Sequence, residues 1–378
     1  MSTHWIWQQP DWPDFHWRTE VLAPLLRECV QAQGQLLGMT GAVTASLNVQ
    51  NELDALLQNI VTSSAIEGEQ LNVGSVRSSL ARRLGLEHVE DTPVSQRSEG
   101  LANLLLDATR HFNQPMTFER LLEWHEWLFP GQAEGLVHRQ IRVGALRGDE
   151  PMQVVSDRLD RPTVHFEAPP RLGLEQQLQT FIDWFETSRH QAGLDPLLRA
   201  GIAHLWFVTL HPFDDGNGRL TRTLTDLALA QGEAQAIRFY AMSVSILDDR
   251  AGYYRILELS QKATLDITDW LTWFLQTLLR SLHKAMTQIE SVLGKTRFWQ
   301  AHRALALTPE QSKVLNRLLD GGEKGFEHGI SAAQYQAVAK VSKATATRHL
   351  AELLEKGCLR RMPSGGRSTR YQINYPDD

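Results

Sequence analysis

The sequence predicts a mainly α-helical protein, interrupted once by a β-hairpin and ending in a small module of three helices and two strands. Three observations predict it. Apolar residues recur at three- and four-residue steps through most of the 378 residues, the period of a helix with one buried face. β-prone runs are short, and glycine and proline set them off. Hydrophobic residues make up 42% and charged residues 22%, an ordinary globular balance, and no run of eighteen apolar residues offers a membrane span.

In chain order, Met1 to Trp17 gathers Trp5, Trp7, Trp12, Phe15 and Trp17 around Pro10 and Pro13. It lacks the basic and apolar regions of a signal peptide, and its rings are expected to pack on a helical body. Trp17–Leu37 and Leu47–Thr62 read as helices, so residues 1–93 form an N-terminal helical domain. The core, 94–282, reads as helices over Glu99–Phe112, Thr117–Phe129, Leu174–Arg189, Asp195–Leu210, Leu220–Gln231, Asp249–Leu259 and Ile267–Leu282. Thr117 and Asp195 suit helix starts, with Glu119 and Pro196 just inside. Ile141–Val143 and Gln153–Val155 flank Gly144, Gly148 and Pro151 and read as the two strands of a hairpin.

Residues 283–308 read as a helical connector. In 309–378, helices are expected at Gln311–Leu319, Ser331–Ala339 and Lys343–Lys356, with the turn at Val341, Ser342 as N-cap and Gly357 as the C′ residue. Strands at Cys358–Met362 and Arg370–Ile373 would flank a Gly365-Gly366 wing. This order resembles a winged helix-turn-helix. From Ser331 onward there are eight Lys or Arg against four acids, and Arg360, Arg361, Arg367 and Arg370 lie on the wing, suiting phosphate contact. DNA is one expected partner; a dimer contact or target docking is the alternative use.

The net charge of −6 excludes a basic nucleic-acid coat for the whole chain. Cys29 and Cys358 are the only cysteines, so neither a disulfide framework nor a cysteine-based zinc site can be built, which suits a reducing cytoplasm. His125 and His204 fall on apolar helical faces and read as core histidines.

The most informative run is His211-Pro212-Phe213-Asp214-Asp215-Gly216-Asn217-Gly218-Arg219-Leu220-Thr221-Arg222. Apolar helical patterns precede and follow it, so its glycines open the second helix. A helix N-terminus presents unpaired N–H groups and a positive dipole end. Glycines on both sides of Asn217 permit positive φ. A potential base, a carboxylate and two guanidinium forks complete the set.

The run resembles the signature of the Fic family, His-Pro-Phe-x-(Asp/Glu)-Gly-Asn-Gly-Arg-x-x-Arg, at every specified position. The resemblance implies a protein adenylyltransferase that moves AMP from ATP to a hydroxyl side chain of a target protein. It implies His211 as general base, Asp215 as the Mg²⁺ ligand, and Gly216, Asn217 and Gly218 as the phosphate cradle. Arg219 would pair with the β-phosphate and Arg222 with the γ-phosphate. Tyr253 and Tyr254 lie where relatives place an adenine-facing tyrosine, and a core role for one of the two is equally open. The hairpin over 141–155 would be the flap on which the target docks by strand addition.

Ser63-Ser64-Ala65-Ile66-Glu67-Gly68 resembles a second Fic-related pattern, (Ser/Thr)-x-x-x-Glu-(Gly/Asn), carried by inhibitory helices. It implies that Glu67 reaches Arg222 and withholds it from the γ-phosphate, while Ser63, one turn earlier, bonds the site backbone or Asn217. Two alternatives stay open: a de-AMPylase that uses Glu67, and a DNA-binding regulator with a Fic sensor core. No membrane partner is expected, and a homodimer is left open.

Overall fold

The chain divides into two units, Met1–Ala285 and Met286–Asp378. The structure is a computed structural model and describes residues 5–41, 45–86, 92–130, 141–155, 163–234, 239–262, 264–321, 326, 328–362 and 369–375. The first unit contains α1 (Thr19–Gly41), α2 (Ala45–Ile66), α3 (Val73–Arg83), α4 (Gln96–Arg110), α5 (Phe118–Leu128), β1 (Gln153–Val155), β2 (Val164–Glu167), α6 (Leu174–Thr187), α7 (Pro196–Leu210), α8 (Asn217–Glu233), α9 (Met242–Asp248) and α10 (Arg250–Gln261). The boundary falls inside α11 (Thr268–Ala301). No described helix is long and apolar enough to cross a membrane.

Helices α7 and α8 form the middle of the first unit. In α7 all fourteen residues from Leu197 to Leu210 are buried. A helix that is apolar on every side belongs inside. Ala200, Leu205, Phe207 and Leu210 are fully covered, as are Leu220, Leu224 and Leu227 of α8. Each such leucine or phenylalanine contributes roughly 1.5–3 kcal/mol relative to an exposed one. That packing makes the α7–α8 connection, residues 211–216, a short rigid link. Asp195 caps α7 by accepting from Leu197 N at 2.8 Å, with Pro196 behind it, and Thr117 caps α5 by accepting from Arg120 N at 3.1 Å.

The N-terminal aromatics pack as expected. Trp12 and Phe15 meet Trp206 of α7 edge to face at 6.3 and 5.8 Å, and Trp5 meets Phe166 of β2 at 5.4 Å. Trp7 Nε1 donates to the Glu167 carbonyl at 2.7 Å.

The hairpin differs from expectation. β1 pairs antiparallel with β2, Val154 opposite Phe166, so the paired strands are Gln153–Val155 and Val164–Glu167 and the hairpin is not 141–155; residues 156–162 lie outside the described set. Ile141–Val143 forms no strand, because its neighbourhood spends its backbone donors elsewhere. Arg142 N donates to Asp214 Oδ2 at 3.0 Å and Gly144 N to His125 Nδ1 at 3.1 Å. In β2 Phe166 turns inward, while its neighbours His165 and Glu167, on the opposite face, stay half-buried. Two further helices, α3 and α9, were not expected, and α11 runs on to Ala301 where a separate connector was.

The second unit holds α12 (Pro309–Leu319), α13 (Ala332–Ala339), α14 (Lys343–Glu355), β3 (Leu359–Arg361) and β4 (Tyr371–Ile373) around Phe298, Val314, Leu315, Tyr335, Leu350 and Leu353. β3 and β4 pair antiparallel, and Ile330 bridges to Tyr371. Ser342 caps α14 by accepting from Thr345 N at 3.2 Å, and Gly357 takes φ 73° at its end. The left-handed turn residue is Lys340, φ 57°, one before the expected Val341. Arg367 and the Gly365-Gly366 wing lie outside the described residues. Arg370 is tied to the backbone, donating to the Gly329 carbonyl at 2.9 Å.

Candidate active site

His211 ends α7 in a left-handed conformation, φ 48°, ψ 56°. A non-glycine residue rarely adopts this, and here the surroundings impose it. Arg147, which sequence reasoning did not single out, holds the turn: its Nε donates to the His211 carbonyl at 2.9 Å and its N–H to the Pro212 carbonyl at 3.0 Å. Arg147 is itself 2% exposed, and Arg171 Nε donates to its carbonyl at 2.8 Å. A lone arginine in a loop carries no spacing signal, so only the fold reveals it.

His211 Nδ1 lies 3.3 Å from the Val208 carbonyl. A neutral imidazole that donates there leaves Nε2 as its acceptor. Burial, with Arg147 nearby, pushes the His211 pKa down to about 4 against the opposing pull of the Val208 carbonyl. At neutral pH the ring is therefore an uncharged proton acceptor, weaker than an exposed histidine.

The turn after His211 is stapled by Asn217. Its Oδ1 accepts from Phe213 N at 3.0 Å and its Nδ2 donates to the Phe213 carbonyl at 2.8 Å. The Asn217 amide, expected to cradle phosphate, is thus a structural staple, and the donors left open at this end are the first-turn N–H groups of α8, which have no intrahelical partners. Gly216 caps α8 with φ 83°, as the turn requires. Gly218 differs: it is helical, and its value lies in lacking a Cβ, which would sit 2.2 Å from Glu67 Oε1.

Asp215 is exposed, and its Oδ1 accepts from Gly216 N at 2.6 Å. No group of three or more His, Cys, Asp or Glu that could hold a metal occurs among the described residues. A single exposed carboxylate still fits Mg²⁺, which is commonly held by one or two carboxylates together with substrate phosphates and water. His125 supports this position from below. Its Nδ1 accepts from Gly144 N, its Nε2 stands 3.2 Å from the Asp215 carbonyl, and its ring stacks on Phe213 at 4.2 Å. It is a core histidine, as expected, but one that braces the turn.

Arg219 and Arg222 stand one turn apart on α8, each with a side chain 3% exposed. Arg222 Nη2 pairs with Glu67 Oε1 at 2.8 Å, so the expected long-range contact is present. Ser63 goes to Arg222 and not to Asn217: its Oγ accepts from Nε at 2.8 Å and its carbonyl from Nη2 at 2.9 Å. Arg219 Nη1 meets Glu69 at 2.8 Å, and its guanidinium lies over the Phe129 ring at 5.0 Å. Arg219 Nε and Arg222 Nη1 are buried without a hydrogen-bond partner. Both arginines line a small cavity with Ser63 and Ser64. Buried donors left unused on two cations fit an anionic ligand.

The two tyrosines separate. Tyr253 is 1% exposed, stacks on Trp273 at 5.4 Å and meets His204 Nε2 at 3.0 Å, so it is core and cannot face an adenine. Tyr254 is 39% exposed, and its hydroxyl donates to the Ile66 carbonyl at 3.3 Å, next to Glu67.

Comparison with known proteins agrees with this geometry. Residues 115–229 match the Fic/DOC family, and residues 5–86 match a domain of unknown function, DUF4172. The chain is similar to the protein adenylyltransferase Fic of Drosophila willistoni, 26% identical over 217 residues, which are 56% of this chain and 38% of that one. The same protein of Drosophila virilis matches at 26% over 56% of this chain and 39% of its own length. The match therefore spans well under half of these relatives. Among solved structures, a Fic family protein from Desulfovibrio desulfuricans G20 superposes with TM-score 0.54 at 22% identity, covering 95% of this chain and 97% of the other. A Fic domain containing signaling protein from Bacteroides thetaiotaomicron superposes with TM-score 0.52 at 19% identity, over 70% of this chain and 97% of its own. With the His211–Arg222 turn seated between two buried helices and the family match running through it, residues 115–229 carry a Fic/DOC domain.

Proposed function

We propose that the chain is a protein adenylyltransferase restrained by its own Glu67. The observation that carries this reading is the pair of buried guanidiniums, Arg219 and Arg222, with unused donors one helical turn apart beside a neutral imidazole. In the proposed reaction His211 Nε2 takes the proton of a Ser, Thr or Tyr hydroxyl. The hydroxyl oxygen bonds the α-phosphorus of ATP, the bond from that phosphorus to the bridging oxygen breaks, and pyrophosphate leaves. Arg219 and Arg222 bind the β- and γ-phosphates as planar forks. Mg²⁺, held by Asp215, would supply further charge neutralisation to the phosphates. Arg147 and Asn217 keep His211 and the α8 amides in place, so catalysis rests on positioning and charge.

The target is proposed to add a strand to β1, whose Val154 and Val155 are exposed. Tyr254 is the ring within reach of the base. Glu67 restrains the enzyme because Arg222 cannot serve carboxylate and γ-phosphate together. A charge-assisted pair of this kind is worth on the order of 1–3 kcal/mol, a restraint of roughly tenfold to a hundredfold.

A second reading concerns Met286–Asp378, which we infer to be a winged helix-turn-helix that contacts DNA. It is supported by Lys343, Thr347 and Arg348, exposed on α14, and by Arg360 and Arg361, exposed on β3.

The deciding experiment is mass spectrometry of purified Glu67→Gly protein after incubation with ATP and Mg²⁺. A mass increase of one AMP, absent in Glu67→Gly/His211→Ala, is expected. Unmodified protein, with no transfer to any hydroxyl of a cell lysate, would sink the reading.

A further inference from the structure

Glu69 has no part in the proposed reaction, yet it makes the same kind of contact as Glu67. Its Oε2 accepts from Arg219 Nη1 at 2.8 Å, and Arg97 Nη2 lies 2.5 Å from that same oxygen. One short segment after α2 therefore places a carboxylate on each arginine of the α8 turn, Glu67 on Arg222 and Glu69 on Arg219. Gly68 between them takes φ 80°, a left-handed bend that separates the two acids.

Burial makes this more than a surface pairing. Arg219 is 3% exposed, and a buried guanidinium stripped of its counter-charge is strongly unfavourable. Some anion must face Arg219 in every populated state. Glu69 faces it at 2.8 Å, and Asp215 stands farther off at 3.9 Å. Arg97 is different, with a side chain 44% exposed at the start of α4. It can keep Glu69 when a phosphate takes Arg219, so the carboxylate is handed from one guanidinium to the other and is never left unpaired.

We propose that Glu69 is a specificity-determining residue of the nucleotide site, setting it against a β-phosphate as Glu67 sets it against a γ-phosphate. The inference rests on the adenylyltransferase reading for the assignment of Arg219 and Arg222 to those phosphates. Its consequence is a site that grades nucleotides by phosphate count. AMP displaces neither acid, ADP must displace Glu69, and ATP must displace both.

The test is calorimetric binding of AMP, Mg-ADP and Mg-ATP to wild type, Glu69→Gln, Glu67→Gln and Arg97→Ala, at a temperature below every melting transition; Glu69→Gln should melt lower than wild type, because Arg219 loses its nearest counter-charge. Glu69→Gln should tighten ADP and ATP about tenfold, the loss of one charge-assisted competitor, and leave AMP within about twofold. Glu67→Gln should tighten ATP and leave ADP unchanged. Arg97→Ala should act with the opposite sign on ADP, weakening it a few-fold, because Glu69 then has Arg219 as its one partner. That reversal is something a loosened fold in Glu69→Gln cannot imitate. Unchanged ADP affinity in Glu69→Gln, or equal tightening of AMP and ADP, overturns the proposal. Absence of any nucleotide binding in all four proteins overturns the adenylyltransferase reading beneath it, and the proposal with it.

Discussion

Basic residues collect in two regions of this chain and are kept in opposite ways. At the α8 turn, Arg219 and Arg222 are almost wholly buried, and each is closed by a carboxylate from the segment after α2. In the second unit, Lys343, Arg348 and Arg361 stand exposed, and Arg348 has a loose partner in Glu352 at 3.6 Å on its own helix. A buried charge must be matched in every state, so changing its partner is a change of state. An exposed charge is matched by water and contributes little to any one state. On the proposed function the first region acts as a switch and the second as an additive surface, and single substitutions should separate them.

The largest effect should come from the buried turn. His211→Ala should lower transfer at least a hundredfold, the usual contribution of a positioned base, while leaving ATP affinity within a few-fold. Radiolabel transfer and calorimetry on one preparation check both halves. Near wild-type transfer would remove His211 from the mechanism.

Next is the carboxylate that closes Arg222. Glu67→Gly should raise transfer tenfold to a hundredfold; Arg222→Ala should show no gain, and the double variant should resemble Arg222→Ala, as two residues sharing one contact do. Gly218→Ala sharpens this. Its new Cβ would meet Glu67 Oε1 at 2.2 Å, and the far end of that side chain can be pushed aside. Gly218→Ala should therefore release part of the restraint in wild type, a few-fold, and add nothing in Glu67→Gly. A gain of equal size in both backgrounds would mean that Gly218 acts on the phosphates and not on Glu67.

What the sequence made legible follows the same division between local and distant causes. The helices, the caps at Thr117, Asp195 and Ser342, and the α8 turn were legible because spacing and capping are local rules. The pairing of β1 was misjudged. Ile141–Val143 is as β-prone as Val164–Glu167, but its neighbouring N–H groups are drawn to Asp214 and His125, a choice made by tertiary neighbours. The family pattern implies a ligand role for Asn217, whereas its amide is spent on Phe213, and of the two tyrosines it is Tyr253 that takes the core role held open for one of them. Arg147 and Glu69 escaped notice because nothing in their local sequence marks them; each gains meaning only from a residue far along the chain.

Acidity probes the buried region further. His211 is held near 4 by burial, so the acid limb of kcat/KM for transfer should fall between pH 5 and 4, and not near the ~6.5 of an exposed imidazole. Stability moves in the same window. Burial pushes His125 down to about 4 and His204 to about 3, so below ~6.5 the unfolded chain binds protons that the folded chain does not. Folding free energy should then decline as pH falls from ~6.5 toward 4. Melting temperatures measured alongside the rates separate the two effects: a rate that drops near 6.5 while the melting temperature holds would show that His211 titrates like an exposed histidine.

The smallest expected effects lie on the exposed surface and test the other half of the comparison. If the second unit contacts DNA through solvated cations, each acts mainly by releasing about one counterion. Lys343→Ala and Arg361→Ala should then each weaken binding a few-fold and lower the slope of log affinity against log salt by about one, and the pair should add. Arg370→Ala should behave differently, because its guanidinium holds the Gly329 carbonyl; it should lower the melting temperature and change the salt slope little. Gel shifts on random-sequence duplex at several salt concentrations read all of these. Strong coupling between Lys343 and Arg361 would mean that they share a single rigid contact, and the second unit would then resemble the buried turn more than an additive surface. No measurable salt dependence in the wild-type protein would take DNA away as its partner and leave a protein contact as the use of that surface.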